Sequence, residues 1–205
     1  TPDNASLNVR LLPAKSAAKE PVPTIIYFPG NCERKAISLP LRITEPCNRV
    51  FFDYRGTGDS KGKFTALKDL IVDGDTVVQF VRKELETPDH LIHFYGRSLG
   101  GAVAAETKAL NANLTGPFVS DRSFASIGKL IKSHLPLGLG HLAAWTVKSH
   151  ERDVLNAEKA LAKMQGEKLI ICHKEDKIIP YEASLFYANE KSEEKSTDVT
   201  TMLLP

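Results

Sequence analysis

Cysteine is scarce in this chain of 205 residues, which contains three: Cys32, Cys47 and Cys172. Three thiols are too few for the disulfide framework of a small secreted protein, and this favours a reducing compartment, which we expect to be the cytoplasm. No apolar run reaches the ~20 residues needed to cross a bilayer, so no transmembrane segment is predicted. The first residues are neither a signal peptide nor an initiator methionine, and we expect the sequence to be truncated at both ends.

Excess charge of one sign is also missing. The chain has 27 Lys and Arg against 25 Asp and Glu, which gives a net charge of +2, and these residues are spread along the sequence. Nucleic-acid or membrane-surface binding would favour a concentrated basic patch. The composition therefore favours a small-molecule or peptide-like substrate over nucleic acid.

Short apolar runs alternate with helical stretches, which is typical of an α/β protein with a parallel sheet. Strands are predicted at residues 8–12, 24–28, 49–54, 91–95, 116–120, 168–173 and 198–204. Helices are predicted to begin near residue 65, directly after Ser98, and at residue 157, the last reaching Met164. No linker divides the chain, so residues 1–205 are predicted to form a single domain.

The pentapeptide Gly96-Arg97-Ser98-Leu99-Gly100 is a G-x-S-x-G motif between an apolar run and a segment rich in glycine and alanine. A serine on a sharp strand-to-helix turn needs glycines two positions away, because strand and helix pass close together while the hydroxyl points into a cleft. This context predicts a nucleophile elbow with Ser98 as the nucleophile. The alternative is a serine in a structural turn.

Acyl transfer by serine also needs backbone N–H groups that stabilise the oxyanion. The second predicted strand runs into Pro29-Gly30-Asn31-Cys32, at the carboxyl edge where open α/β sheets bind ligands. We expect Asn31 or Cys32 to provide the first donor and the Leu99 amide to provide the second. The alternative is that this loop is only a tight turn.

The carboxylate that orients the base is predicted to be Asp176, in the loop that follows the strand at 168–173. The alternative is that Asp176 and the adjacent Glu175 are a solvated acidic pair flanked by lysines. Asp121 is a second candidate for the triad acid. It precedes Arg122, so we expect an ion pair and a structural role there.

Several motifs in this order resemble the α/β-hydrolase superfamily over nearly the whole chain: Pro29-Gly30-Asn31, the D-Y-R-G-x-G-x-S-x-G segment at 53–62, the Ser98 elbow, and Asp176 followed by Pro180. The sequence is most similar to small serine hydrolases with little lid, a group that includes carboxylesterases, depalmitoylase-like thioesterases and peptidase-like enzymes. The resemblance implies an eight-stranded, mostly parallel sheet with helices on both faces. It also implies no metal or organic cofactor, Ser98 as nucleophile, Asp176 as acid and a small helical cap around 124–152.

The chain departs from the family pattern at two places. The histidine that usually opens the oxyanion motif is replaced by Phe28 or Pro29, which leaves the backbone donors in place. The triad histidine usually follows the last strand, whereas all the histidines precede Asp176: His90, His93, His134, His141, His150 and His173. We therefore expect the triad histidine after Pro205, with His173 as an internal alternative.

Two functions are consistent with these features. The first is a serine hydrolase that cleaves an ester, thioester or amide of a small-molecule or protein-borne acyl substrate through a Ser98 acyl-enzyme. The second is a catalytically inactive hydrolase fold that acts as a binding module, which only the missing histidine supports. The apolar segment at 135–145 is expected either to line an acyl pocket or to close the core.

Overall fold

A single mostly parallel sheet is the framework of the chain, whose computed structural model describes residues 1–15, 21–31, 33, 46–134, 154–192 and 198–205. The strands are β1 (Val9–Leu12), β2 (Thr24–Phe28), β3 (Asn48–Phe52), β4 (Ile92–Arg97), β5 (Phe118–Asp121), β6 (Lys168–His173) and β7 (Val199–Leu204). Their order is β1-β3-β2-β4-β5-β6-β7, and only the β1–β3 pair is antiparallel. The predicted strands are confirmed to within a few residues; the described residues form seven strands where the resemblance implied eight.

The described residues form five α-helices. They are α1 (Lys68–Lys83), α2 (Leu99–Leu110), α3 (Ile127–His134), α4 (Ala157–Leu161) and α5 (Leu185–Lys191). Helix α1 contacts α2, α2 contacts α4, and α4 contacts α5. The predicted start of α1 near residue 65 is wrong by three residues, because the N–H and hydroxyl of Thr65 both donate to Asp69 at 2.7 Å and hold Thr65 outside the helix. Helix α4 ends three residues before the predicted Met164.

Aromatic rings form the centre of the core between the sheet and the helices. Phe28 stacks on Phe94 with ring centroids 5.5 Å apart and meets the edge of Phe52, also at 5.5 Å. All three side chains are almost fully buried, together with Val77, Val78 and Val103 from the helices. Burial of each large apolar side chain contributes roughly 1.5–3 kcal/mol. The end of β2, where the predicted oxyanion loop begins, therefore lies on a closely packed base.

The glycine-rich segment at 53–62 is held in place by the buried side chain of Arg55. Its Nε and Nη2 donate to Asp73 Oδ1 at 2.9 and 2.8 Å, and its backbone N–H donates to Asp73 Oδ2 at 2.8 Å. Arg55 also pairs with Asp3 near the amino terminus. These contacts anchor the turn to α1 and give the segment a structural role.

Lys108 is a fully buried amine in α2. Its Nζ donates to the carbonyl oxygens of Leu114 and Gly116, both at 2.7 Å, and lies 5.4 Å from the ring centroid of Phe94. Burial, together with the positive charge of Lys168, lowers the pKa of Lys108 to about 8. The folded protein therefore releases this proton more readily than the unfolded chain does.

This difference predicts a pH-dependent stability. Between pH 8 and the ordinary lysine pKa of 10.5, the unfolded chain holds the proton and the folded chain does not, so stability rises with pH in this window. We expect a gain of roughly 3 kcal/mol that Lys108→Met lacks. Urea unfolding of both proteins at several pH values gives the slope of the unfolding free energy against pH for each protein, and the effect is the difference between the two slopes. Equal slopes would contradict the lowered pKa of Lys108.

None of the described helices is long and apolar enough to cross a membrane. The cap predicted around 124–152 is described only as far as His134, at the end of α3. The rest of that segment, including the apolar stretch at 135–145, lies outside the described residues.

Candidate active site

Ser98 lies on the turn between β4 and α2, as the motif predicts. Its φ of 51° is in the left-handed region that non-glycine residues rarely adopt, and such backbone strain costs on the order of 1–3 kcal/mol. Two hydrogen bonds fix the turn: the Ser98 N–H donates to the Asp121 carbonyl at 2.9 Å, and the Ser123 hydroxyl donates to the Ser98 carbonyl at 2.8 Å. The backbone at Ser98 is therefore strained and is held by hydrogen bonds to the residues around β5.

The flanking glycines are required because backbone passes where a side chain would lie. A Cβ on Gly96 would lie 2.3 Å from the Gly100 carbonyl oxygen, and a Cβ on Gly100 would lie 2.0 Å from the Phe28 carbonyl oxygen. Neither contact could be relieved by turning a flexible side chain. The contact at Gly100 shows that the start of α2 lies directly against the end of β2.

Ser98 lines a cleft of about 670 Å³ at the carboxyl ends of β2, β4, β5 and β6. The cleft brings together Ser98, Asn31 and Asp176, three of the residues predicted for the site. Leu99 directly follows Ser98 as the first residue of α2. Its amide is one of those that an α-helix leaves without an intrahelical acceptor. Cys32, the other predicted oxyanion donor, lies outside the described residues.

The loop after β2 has a feature that its sequence did not reveal. The Gly30 N–H donates to the Glu33 carboxylate at 2.6 Å, and the Glu33 N–H donates to the Gly30 carbonyl at 3.2 Å. Both backbone groups of Gly30 are thus already hydrogen-bonded. Among the described residues of this loop, Asn31 is therefore the one whose backbone N–H can face the cleft.

Asp176 lies in the tight loop after β6. Its Oδ1 accepts hydrogen bonds from the N–H groups of Ile178 and Ile179 at 2.8 and 3.0 Å, and its own N–H donates to the His173 carbonyl at 3.2 Å. Oδ1 is therefore used in shaping the loop. No hydrogen bond to Oδ2 is found within the described part of the chain, so that oxygen can orient a base.

Asp121 is buried and fully engaged. Tyr95 donates its hydroxyl proton to Oδ2 at 2.8 Å, while Arg122 donates from Nε to Oδ1 at 2.8 Å and from Nη2 to Oδ2 at 3.1 Å. Although burial raises it, these hydrogen bonds hold the pKa of Asp121 below its usual range. The predicted ion pair with Arg122 is present, and Asp121 is not among the residues that line the cleft.

His173 is the one histidine of the described residues that lines the cleft. The Glu175 N–H donates to its Nδ1 at 3.2 Å, so the neutral ring carries its proton on Nε2. A triad base needs the opposite tautomer, with the proton on Nδ1 and a free Nε2. This hydrogen bond counts against His173 as the base.

The other histidines lie elsewhere or outside the described residues. His90 and His93 lie before and within β4, away from its carboxyl end. His134 is exposed at the end of α3, with Nδ1 3.0 Å from the Leu130 carbonyl oxygen. His141 and His150 lie outside the described residues. Among the residues that the structure describes, no three His, Cys, Asp or Glu side chains are grouped to hold a metal ion.

Charged side chains that no sequence motif predicted lie around Ser98. Glu33, Arg97 and Arg122 all line the cleft, and Arg122 also has a positive φ of 49°. Arg97 lies inside the recognised motif, so its position next to Ser98 was available from the sequence. Nothing in the sequence indicated that Glu33 contacts Arg97, at 2.7 Å, because the two are 64 residues apart.

No family model matches the chain. Among curated proteins, it is 28% identical over 148 residues to protein bem46 of Schizosaccharomyces pombe, a match that covers 67% of this chain and 47% of that protein. It is 24% identical over 177 residues to the alpha/beta hydrolase domain-containing protein WAV2 of Arabidopsis thaliana, covering 81% of this chain and 57% of the relative. The chain thus spans about half the length of these relatives.

Solved structures with a similar fold cover almost the whole chain. Est1E from Butyrivibrio proteoclasticus, solved with ferulic acid bound, aligns with a TM-score of 0.71 at 21% identity over 98% of this chain and 87% of its own. The acetyl xylan esterase from Paenibacillus sp. R4 aligns with a TM-score of 0.75 at 14% identity over 99% of this chain and 74% of its own. At these identities the likeness shows the fold alone.

Proposed function

We propose that this chain, which has the α/β-hydrolase fold, belongs to a serine hydrolase that cleaves an ester or thioester through an acyl-enzyme on Ser98. The observation that carries the proposal is the strained backbone of Ser98, at φ 51°, in a cleft that also holds Asn31 and Asp176. A binding module has no need for a strained serine beside a loop amide and a carboxylate.

In the proposed first half-reaction, Ser98 Oγ attacks the carbonyl carbon of the substrate and gives its proton to a base. The carbonyl oxygen becomes an oxyanion that accepts hydrogen bonds from the amides of Asn31 and Leu99. The carbon–oxygen or carbon–sulfur bond to the leaving group then breaks, and the protonated base gives its proton to the leaving group. Water completes the second half-reaction and regenerates Ser98.

We place the base in the residues that follow Pro205. Strand β7 runs parallel to β6 and pairs Leu204 with His173, three residues before Asp176. A chain that continues from β7 would emerge at the same sheet edge as Asp176. A histidine there could donate from Nδ1 to Asp176 Oδ2 and accept the Ser98 proton at Nε2.

Asp176→Asn tests the proposed acid without disturbing its loop. The asparagine side-chain oxygen can accept the same hydrogen bonds from Ile178 and Ile179, while the charge is lost. We expect kcat/KM to fall by about 10²–10⁴-fold, and the unfolding free energy to change by less than about 1 kcal/mol. Ester hydrolysis and urea unfolding measure the two effects.

Glu175→Gln is the matched control for this substitution, because it removes a neighbouring charge of the same cleft. We expect it to keep kcat/KM within about threefold of the wild type. Equal losses in the two variants would indicate a general electrostatic effect and would remove Asp176 from the triad.

The substrate class can be narrowed by direct assay. The two structural neighbours named above are Est1E, which was solved with ferulic acid bound, and an acetyl xylan esterase, so esters are the first substrates to test. The natural full-length protein should be assayed with p-nitrophenyl acetate, butyrate and octanoate and with an acyl thioester. Intact-protein mass spectrometry and peptide mapping of quenched samples would then detect an acyl-enzyme. An acyl adduct on the Ser98 peptide supports the proposal. A folded protein that turns over none of these and forms no adduct would favour the binding module.

A further inference from the structure

Glu33 connects three parts of the candidate active site. Its carboxylate accepts hydrogen bonds from the Gly30 N–H at 2.6 Å, from Arg97 Nη1 at 2.7 Å, and from the Tyr27 hydroxyl at 3.2 and 3.3 Å. Gly30 begins the proposed oxyanion loop, Tyr27 belongs to β2, and Arg97 directly precedes the nucleophile. One side chain thus bonds to the loop, to the strand before it and to the elbow.

Hydrogen-bond donors surround the Glu33 carboxylate where it lines the cleft. The Glu33 side chain is 15% exposed. Arg97 balances its charge, and burial together with the negative charge of Glu33 raises the pKa of Tyr27, so its hydroxyl remains a donor. A carboxylate without these partners would oppose an oxyanion forming nearby.

The hydrogen bonds between Gly30 and Glu33 also fix the direction of the Asn31 backbone N–H. Both backbone groups of Gly30 are bonded to Glu33, which fixes the peptide plane from which Asn31 continues. Gly30 also lies against the elbow, because a Cβ on it would be 3.2 Å from the Arg97 carbonyl oxygen and 3.5 Å from Ser98 Cβ. The direction of the Asn31 amide therefore depends on the Glu33 contacts.

We propose that Glu33 is a positioning residue, which holds the oxyanion loop against the elbow so that the Asn31 amide faces the oxyanion formed at Ser98. The inference rests on the proposed function and extends it to a residue that contacts neither the reacting atoms nor the nucleophile's hydroxyl. It acts on the chemical step, because an oxyanion donor stabilises the transition state more than the bound substrate.

The test compares three substitutions of Glu33 at a temperature where each variant is folded. Glu33→Ala removes every side-chain contact while keeping the backbone hydrogen bond to the Gly30 carbonyl. Glu33→Asp keeps the charge but withdraws the carboxylate from Gly30. We expect both to lower kcat by about 10- to 100-fold with KM within about threefold. Glu33→Gln keeps an oxygen that can accept from the Gly30 N–H, and we expect it to recover kcat to within about fivefold of the wild type.

Asp89→Ala is the control, because Asp89 also pairs with an arginine, Arg82, through two hydrogen bonds at 2.7 and 2.8 Å, but lies near the amino end of β4. It should leave kcat unchanged. Wild-type kcat in folded Glu33→Ala, or in Glu33→Asp if the alanine variant does not fold, would overturn the inference while leaving the proposed function intact. A wild-type protein that hydrolyses no ester and reacts with no fluorophosphonate would instead refute the proposed function and the inference with it.

Discussion

Replacing Ser98 with alanine is expected to lower kcat/KM for ester hydrolysis by about 10⁴-fold or more and to abolish labelling by a fluorophosphonate probe. The hydroxyl is the atom that forms the acyl bond in the proposed mechanism, so no neighbouring group can replace it. Residual turnover would come from oxyanion stabilisation and substrate binding alone. The measurement uses the natural full-length protein, with intact mass and peptide mapping to locate the adduct.

Ser133→Ala provides the control for this experiment. Ser133 is an exposed serine of α3 whose hydroxyl donates to the Leu130 carbonyl at 2.8 Å, and it does not line the cleft. We expect its variant to label and to hydrolyse esters within about twofold of the wild type. An adduct that persists in Ser98→Ala would show that another nucleophile carries the activity.

Replacing Gly100 with alanine is expected to destabilise the protein by about 3–5 kcal/mol. The new Cβ would lie 2.0 Å from the Phe28 carbonyl oxygen and 2.6 Å from its carbonyl carbon. These are backbone atoms at the end of β2, whose side chain is fixed in the aromatic core, so the elbow and the strand must separate. Urea unfolding measures the loss, and the fluorophosphonate labelling rate should fall with it.

Gly128→Ala tests whether this loss comes from the contact or from the loss of a glycine as such. In α3, the nearest atom to a Cβ on Gly128 is the Ser126 hydroxyl oxygen at 4.0 Å. Alanine there should stabilise the protein by about 0.5–1 kcal/mol, because it restricts the unfolded chain and favours helix. A Gly100→Ala variant that unfolds at the same urea concentration as the wild type would contradict the close packing of Gly100 against the end of β2.

Local sequence signals predicted much of the fold. The central predicted strands are present because their apolar residues are buried between neighbouring strands, as Thr24–Phe28 illustrates. The elbow was predictable for a similar reason: a serine between glycines has a backbone requirement that can be stated from the residues alone. The ends of helices were less accurate, because the side chain of Asp69 decides where α1 begins.

The candidate site was predictable only in part. Ser98, Asn31 and Asp176 follow the ends of three different strands, and the parallel sheet brings such ends to one edge. Asp121 is the last residue of β5, and its hydrogen bonds with Tyr95 and Arg122 and its position outside the cleft lining distinguish it from Asp176. The sequence predicted the contact of Asp121 with its neighbour Arg122, but not the contact with Tyr95, which is 26 residues away in the chain.

The sequence by itself determined the fold class, the strained turn at Ser98 and the strand ends that could carry chemistry, because each depends on residues close together in the chain. Only the tertiary structure decided the order of the strands, the burial of Lys108 and the contacts of Glu33 with Gly30, Tyr27 and Arg97. These features join residues that are distant in sequence or depend on what surrounds a side chain. They form only when the whole chain packs, because a hydrogen bond between distant residues has no local sequence pattern from which it could be predicted.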